Sequence, residues 1–135
     1  MIYVEKLLSF LKKNNIDFYT GVPDSVLKAL GQYIDNSKKH IVAANEGAAI
    51  SIATGYHLSS AKIPCVYMQN SGLGNAVNPL LSITHKEVYS IPLILIIGWR
   101  GAPNLSDEPQ HLVTGRITRS LLNLLGIKYC ILLLI

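Results

Sequence analysis

Pro92-Leu93-Ile94-Leu95-Ile96-Ile97 sets five aliphatic side chains in a row behind a proline, with no polar residue on either parity. A strand with one wet face alternates apolar with polar, so a run apolar on both parities suits a parallel strand covered by helices above and below. The surrounding chain supplies those helices. Upstream, Val4, Leu7, Leu8 and Leu11 recur at helical spacing until Asn14-Asn15, ahead of a strand-like 16–20. Gly21-Val22-Pro23 breaks that strand, and Asp24-Ser25 offers an N-cap for a helix carrying Val26, Leu27, Leu30 and Ile34. A second strand is expected at 41–44, then a helix capped by Asn45 with Ala48, Ala49, Ile52 and Ala53 on one face, ending near 57–60. A third strand follows at 64–68, a fourth helix from Gly72 to about Val88, and the aliphatic run as fourth strand. Downstream, a Gly- and Pro-bearing loop from Trp99 to about Leu112 leads to a helix through Ile117, Leu121, Leu122 and Leu125, stopped by Gly126, and to a strand over 129–135. Strict alternation of helix and strand predicts right-handed crossovers and an open, mostly parallel α/β sheet with helices on both faces.

The chain has 135 residues, half of them hydrophobic, enough for one domain with its own core. Charged residues make up only 15%, against about a quarter in typical soluble domains, which predicts apolar surface that meets a partner. Twelve Lys and Arg against eight Asp and Glu leave a net charge of +4, but the bases stand singly or in pairs such as Lys12-Lys13 and Lys38-Lys39. Without a basic stripe or interleaved aromatics, nucleic acid is not the expected partner. Met1-Ile2-Tyr3-Val4-Glu5-Lys6 lacks the pattern of a secretory leader, so a cytoplasmic protein is expected. The apolar stretches 91–99 and 129–135 fall short of the roughly 20 residues of a membrane helix. Cys65 and Cys130 each lie in an apolar run with no second Cys or His at ligand spacing, predicting buried reduced thiols and no metal site. The chain stops inside an apolar strand without a polar tail, so a truncation or a missing downstream part is expected.

In such sheets ligands bind beyond the carboxyl ends of the strands. The residues there form a polar set: Pro23-Asp24-Ser25, then Asn45-Glu46, then Gln69-Asn70-Ser71-Gly72-Leu73-Gly74-Asn75, then Trp99-Arg100-Gly101 with Asp107-Glu108-Pro109-Gln110-His111. Each piece has an ordinary explanation. Asp24 reads as a helix cap, and Glu46 as a carboxylate complementing a helix dipole. Gly72-Leu73-Gly74 lacks the third glycine of a dinucleotide fingerprint. His111 reads as solvated, and Arg100 as a partner for free carbonyls. His40, His57 and His85 have no evident role.

Taken in order, these stretches resemble the pyrimidine-binding domain of thiamine diphosphate enzymes, nearest to the phosphonopyruvate and sulfopyruvate decarboxylases. The resemblance rests on Gly21-Val22-Pro23-Asp24-Ser25, on Asn45-Glu46-Gly47-Ala48-Ala49 with Ala53 and Gly55, on the Gln69 to Asn75 loop continuing to Asn78-Pro79, and on the Trp99 and Asp107 stretches. A Glu followed by small residues marks thiamine enzymes broadly, whereas the last stretch is particular to decarboxylases of three-carbon acidic keto acids.

What the resemblance implies is specific. Glu46 would bond N1′ of the aminopyrimidine and favour the tautomer whose amino group can act as a base, which is acid–base catalysis exerted through the cofactor. Asp24 and His111 would manage protons where the substrate reacts. Gln69, Asn70, Ser71, Gly72 and Asn75 would lie against the cofactor, and Ser25, Arg100 and Gln110 against the anionic 2-keto acid. No Gly-Asp-Gly with a later Asn occurs in the chain, so the diphosphate and its Mg2+ would be held by a further domain or a partner subunit, in a homo- or hetero-oligomer. Phosphonopyruvate decarboxylation is the expected activity; the alpha subunit of a sulfopyruvate decarboxylase and a non-catalytic remnant are the alternatives. From Gly47 to Ala61 there is no Asp, Glu, Lys or Arg, which places Ala49 and Ala53 at the expected interface, although a helix buried within one domain shows the same pattern.

Overall fold

Four short strands, β1 (Tyr19–Gly21), β2 (His40–Val42), β3 (Cys65–Gln69) and β4 (Ile94–Gly98), form one sheet in the order β2-β1-β3-β4 with every pair parallel. The computed structural model describes residues 2–35 and 37–134. The helices are α1 (Val4–Lys13), α2 (Lys28–Ile34), α3 (Glu46–Ser60), α4 (Leu73–Pro79) and α5 (Pro109–Leu124). A 3-10 turn (Asn70–Gly72) leads into α4, and a π turn (Leu80–Thr84) leads out of it.

β3 organises the core. Its side chains alternate between two layers, as the two-residue period of a strand requires. Val66 and Met68 join Ala49, Ile50 and Ala53 of α3, Leu73 and Ala76 of α4, and Leu122 of α5. Cys65 and Tyr67 join Val4 and Leu11 of α1 with Leu30 and Ile34 of α2. Helices therefore cover both faces, as the alternating pattern predicted. The chain leaves β1 for β2 on one side and returns to β3 on the other, so the reversal in strand order falls between β1 and β3, and a ligand crevice opens at their carboxyl ends. His40, without a role in sequence, tethers two strands: its Nε2 lies 2.8 Å from the Tyr67 hydroxyl.

The structure corrects several expectations. β4 is not a strand buried on both faces. It starts at Ile94, and it stands last in the sheet, so Ile94, Leu95, Ile96 and Ile97 are only half-buried. The strands buried on both faces are β1, throughout, and β3 from Cys65 to Met68. Residues 129–134 do not form a strand beside β4; they make one isolated parallel bridge, Ile2 to Leu134. An apolar groove of about 1020 Å³ runs between, lined among others by Leu95, Ile97, Leu125, Ile127 and Leu132. β1 begins at Tyr19 rather than 16, and β2 covers His40–Val42 rather than 41–44.

The fourth helix ends well before Val88. Pro79 has no N–H to offer the Asn75 carbonyl, the ladder widens into the π turn, and the helix stops at Thr84. α5 starts at Pro109, where a missing N–H costs nothing, so Gln110 and His111 stand in a helical turn and not in a loop. Cys65 is buried, and burial pushes its thiol up to about 12, whereas Cys130 is exposed against expectation. Ala49 and Ala53 are completely buried in the chain's own core, so the small-residue face of α3 serves packing within the domain. The outward side of α3 carries Ser51 and Gly55, flanked by half-buried Ala48 and Ile52.

Candidate active site

Two carboxylates stand at the carboxyl edge of the sheet, each seated on a glycine. Asp24 follows β1. Its Oδ2 accepts the N–H groups of Val26 at 3.1 Å and Leu27 at 3.2 Å, which caps the turn entering α2. Its Oδ1 is buried with no hydrogen-bond partner. A Cβ at Gly98, the last residue of β4, would overlap Asp24 Oδ2, so only glycine admits the carboxylate there. Burial pushes the Asp24 carboxyl above its ordinary value, against the two N–H bonds and the Arg100 charge.

Glu46 occupies the first turn of α3, which Asn45 caps by accepting the Ala48 N–H at 2.9 Å. Its Oε2 accepts a hydrogen bond from Asn75 Nδ2 at 2.8 Å. A Cβ at Gly72 would overlap the Glu46 carboxylate. Gly47 leaves room for the Asn75 carbonyl, the acceptor that Pro79 cannot serve; a Cβ at Gly47 would stand 3.0 Å from it. Glu46 does stand in the first turn of α3, where it complements the helix dipole, but Asp24 caps only the turn ahead of α2: the helix starts at Lys28, after Leu27 and without a side-chain cap, so Val26 and Leu27 precede it instead of belonging to it as expected. Both carboxylates are also held in place by groups the local pattern does not mention.

The Gln69 to Asn75 loop divides. Gly72 and Asn75 flank Glu46. Asn70 turns inward and is almost fully buried: its Oδ1 accepts the Arg100 N–H at 3.0 Å, and its Nδ2 donates to the Arg100 carbonyl and to Thr118 Oγ1, both at 2.9 Å. Its whole amide is spent tying β3 to the loop after β4 and to α5. Gln69 Nε2 donates to Ser71 Oγ at 2.6 Å.

Arg100 lies between the loops. Its Nε donates to Asp107 Oδ2 at 2.9 Å, its Nη2 to Asp107 Oδ1 at 2.6 Å, and its Nη1 to Ser25 Oγ at 2.9 Å. The Arg100 bonds, then the Gly101 N–H, hold the Asp107 carboxyl well below the usual carboxylate range. Asp107 was legible as part of a stretch but not as a site residue; an Arg and an Asp flanking a Gly- and Pro-bearing loop was the available signal. Trp99 Nε1 donates to the Gly115 carbonyl at 2.9 Å, and Gly115 and Gly101 pack so closely that a Cβ at either would collide with backbone. This contact brings the first turn of α5, with half-buried His111, against the same loop. Gln110 Nε2 is engaged by Glu108 Oε2 at 2.6 Å. A hollow of about 320 Å³ beside Asp24 is lined by Pro23, Ser25, Lys28, Asp35 and Tyr67 as well. The larger groove lies at the β4 edge, away from these polar groups, so the site is assigned on chemistry rather than size.

A parallel sheet with its reversal between β1 and β3 and a glycine-seated carboxylate at a helix start define a cofactor-binding α/β domain. The chain belongs to the family of the thiamine pyrophosphate enzyme N-terminal TPP binding domain, whose profile matches residues 1–120. It is similar to the phosphonopyruvate decarboxylase of Streptomyces viridochromogenes, 37% identical over 131 residues that make up 96% of this chain and 32% of that protein. It is also similar to the sulfopyruvate decarboxylase subunit alpha of Methanococcus maripaludis, 34% identical over 93% of this chain and 74% of that subunit. The chain spans about a third of the length of the phosphonopyruvate decarboxylases it matches. Among solved structures, benzoylformate decarboxylase from Polynucleobacter necessarius shares the fold, with a TM-score of 0.62 at 25% identity over 74% of this chain and 19% of that one.

The residues present suit the pyrimidine part of the cofactor this family binds: a carboxylate at a helix start, an amide bonded to one of its oxygens, and a glycine whose missing side chain gives that carboxylate its seat. Among the described residues no three His, Cys, Asp or Glu side chains group to hold a metal ion, and no helix is long and apolar enough to cross a membrane.

Proposed function

We propose that this chain is the pyrimidine-binding part of a cytoplasmic thiamine diphosphate-dependent decarboxylase that converts 3-phosphonopyruvate to phosphonoacetaldehyde and carbon dioxide. The observation that carries this reading is the seating of Glu46 between Asn75 and Gly72 at the start of α3. Thiamine diphosphate, when bound, supplies the carbon nucleophile and the electron sink that decarboxylation requires. Glu46 holds a proton at the pyrimidine ring nitrogen. Asn75, by donating to one carboxylate oxygen, leaves the other for the ring. Asp24, whose carboxyl is raised by burial, keeps a proton more readily than a solvated aspartate and returns it to the product carbon, with His111 as the second proton carrier. Arg100, with Ser25 and Gln110, holds the acidic head group. The diphosphate and Mg2+ belong to a further domain or a partner subunit.

A second reading is supported by one observation. The chain covers about three quarters of a separate alpha subunit, which favours a sulfopyruvate decarboxylase assembled from two chains. Parallel assays of the assembled enzyme with 3-phosphonopyruvate and 3-sulfopyruvate separate the two. In either case Glu46→Gln, in the chain assembled with its diphosphate-binding part, should cut kcat at least about 100-fold with the fold retained. Near-normal turnover by that variant would overturn the role given to Glu46.

A further inference from the structure

Arg100 is held at both ends. Its backbone is clamped by the Asn70 amide, which takes both its N–H and its carbonyl. Its guanidinium is gripped by Asp107 in a fork, and that carboxylate is itself anchored by the Gly101 N–H at 2.7 Å and the Glu108 N–H at 2.8 Å. Both side chains are largely covered, with 23% of Arg100 and 12% of Asp107 exposed. Asp107 therefore cannot swing away without releasing its own loop.

Resting on the reading that Arg100 meets the acidic head group, we propose that Asp107 is a positioning residue that fixes the Arg100 guanidinium for that head. A guanidinium has five N–H donors. Asp107 takes those on Nε and one on Nη2, and Ser25 takes one on Nη1, which leaves one on each terminal nitrogen. Two donors on a rigid planar group are suited to two oxygens of one phosphonate or sulfonate. A free arginine loses rotamer freedom on meeting an anion, whereas this one has already been ordered by folding, so binding proceeds without that cost. The Arg100 Nη1 bond to Ser25 also joins the loop after β4 to the loop after β1, which keeps Asp24 and Arg100 on one rim.

The test is a double-mutant cycle in the assembled enzyme. KM and kcat are measured with 3-phosphonopyruvate and 3-sulfopyruvate. The Kd of phosphonoacetate, a head-group analogue without the keto group, is read by isothermal titration calorimetry. Asp107→Asn is expected to raise KM and Kd about tenfold while kcat changes less than about threefold. Arg100→Ala should raise them at least as far, and the double variant should be no worse than Arg100→Ala alone. Asp107→Glu, which keeps the charge but shifts the fork, should show a smaller rise of the same sign and serves if Asp107→Asn does not fold. An unchanged Kd in both Asp107 variants, or losses that multiply in the double variant, would overturn the proposal. An unchanged KM and Kd in Arg100→Ala would instead overturn the assignment of Arg100 itself, whatever Asp107 does.

Discussion

Gly98 closes the end of β4 against Asp24, so near that a single Cβ would displace the carboxylate oxygen that caps the turn entering α2. Gly98→Ala is expected to cost about 1–3 kcal/mol in denaturant unfolding, as overpacked sites do, and to lower kcat. In an Asp24→Ala background the same change should cost less, because the group it collides with is gone. Gly74→Ala is the control: nothing lies within 4 Å of that position, and alanine in a helix adds up to about 1 kcal/mol of stability.

Gly72 and Glu46 make the parallel case. Gly72→Ala should push the Glu46 carboxylate out of its seat and depress kcat toward the level of Glu46→Gln. Glu46→Gln itself, isosteric with the native residue, should melt within a few degrees of wild type. If Gly72→Ala retained full activity in the assembled enzyme, the seat would be irrelevant to the chemistry.

Opposite pH dependences follow from Asp107 and Asp24. The Asp107 carboxyl is depressed in the folded chain, so its contribution is present above the ordinary carboxylate value of about 3.9 and is lost as pH falls below it. The difference in melting temperature between wild type and Asp107→Asn should therefore narrow on acidification below about pH 4. Asp24 is raised, so its ionised form opposes folding at neutral pH and the penalty is relieved as pH falls through its folded value. Asp24→Asn keeps an acceptor for the Val26 and Leu27 N–H groups and should be as stable as wild type, or more so, at pH 7 while losing turnover.

The burial of Ala49 changes how assembly has to be probed. Ala49→Glu would put an unpaired charge in the domain's own core and is expected to unfold the chain, a loss of several kcal/mol visible by circular dichroism. Ser51→Glu, on the exposed side of α3, leaves that core intact. If this side of α3 meets a partner, light scattering should show dissociation of Ser51→Glu while circular dichroism at 25 °C remains that of the folded chain; an unchanged mass would place the interface elsewhere.

Local signals in the sequence were strong enough to locate most of this. The Asn45 cap and the strand over 64–68 are each written in a few consecutive residues, whereas the proline that opens α5 reads equally as part of a loop, and two-sided burial was expected of β4 and belongs to β1 and β3. The place of β4 was not legible, because whether an aliphatic strand is central or lateral depends on what lies beside it, and nothing in Ile94 to Ile97 encodes that. The end of α4 was obscured by Leu80, Leu81 and Ile83, whose apolar spacing continues past a proline that had already broken the ladder. Glu46 and Asp24 stood out because they follow strands. The inward turn of Asn70 and the grip of Asp107 on Arg100 arise only when separate loops meet, so no spacing announces them.

The outer edge of β4 has a consequence for handling the protein. Among the described residues nothing pairs with that edge, so a row of backbone donors and acceptors stands open beside uncharged, strongly strand-forming side chains. Such a segment is a template for fibril growth, in which identical strands stack in register and bury their aliphatic flanks. Mild heating or acid should convert these 135 residues, prepared on their own, into thioflavin-binding aggregate with a concentration-dependent lag. Ile96→Lys, a gatekeeper charge within the strand, should lengthen that lag even though it weakens the native fold, which separates self-templating from simple loss of stability.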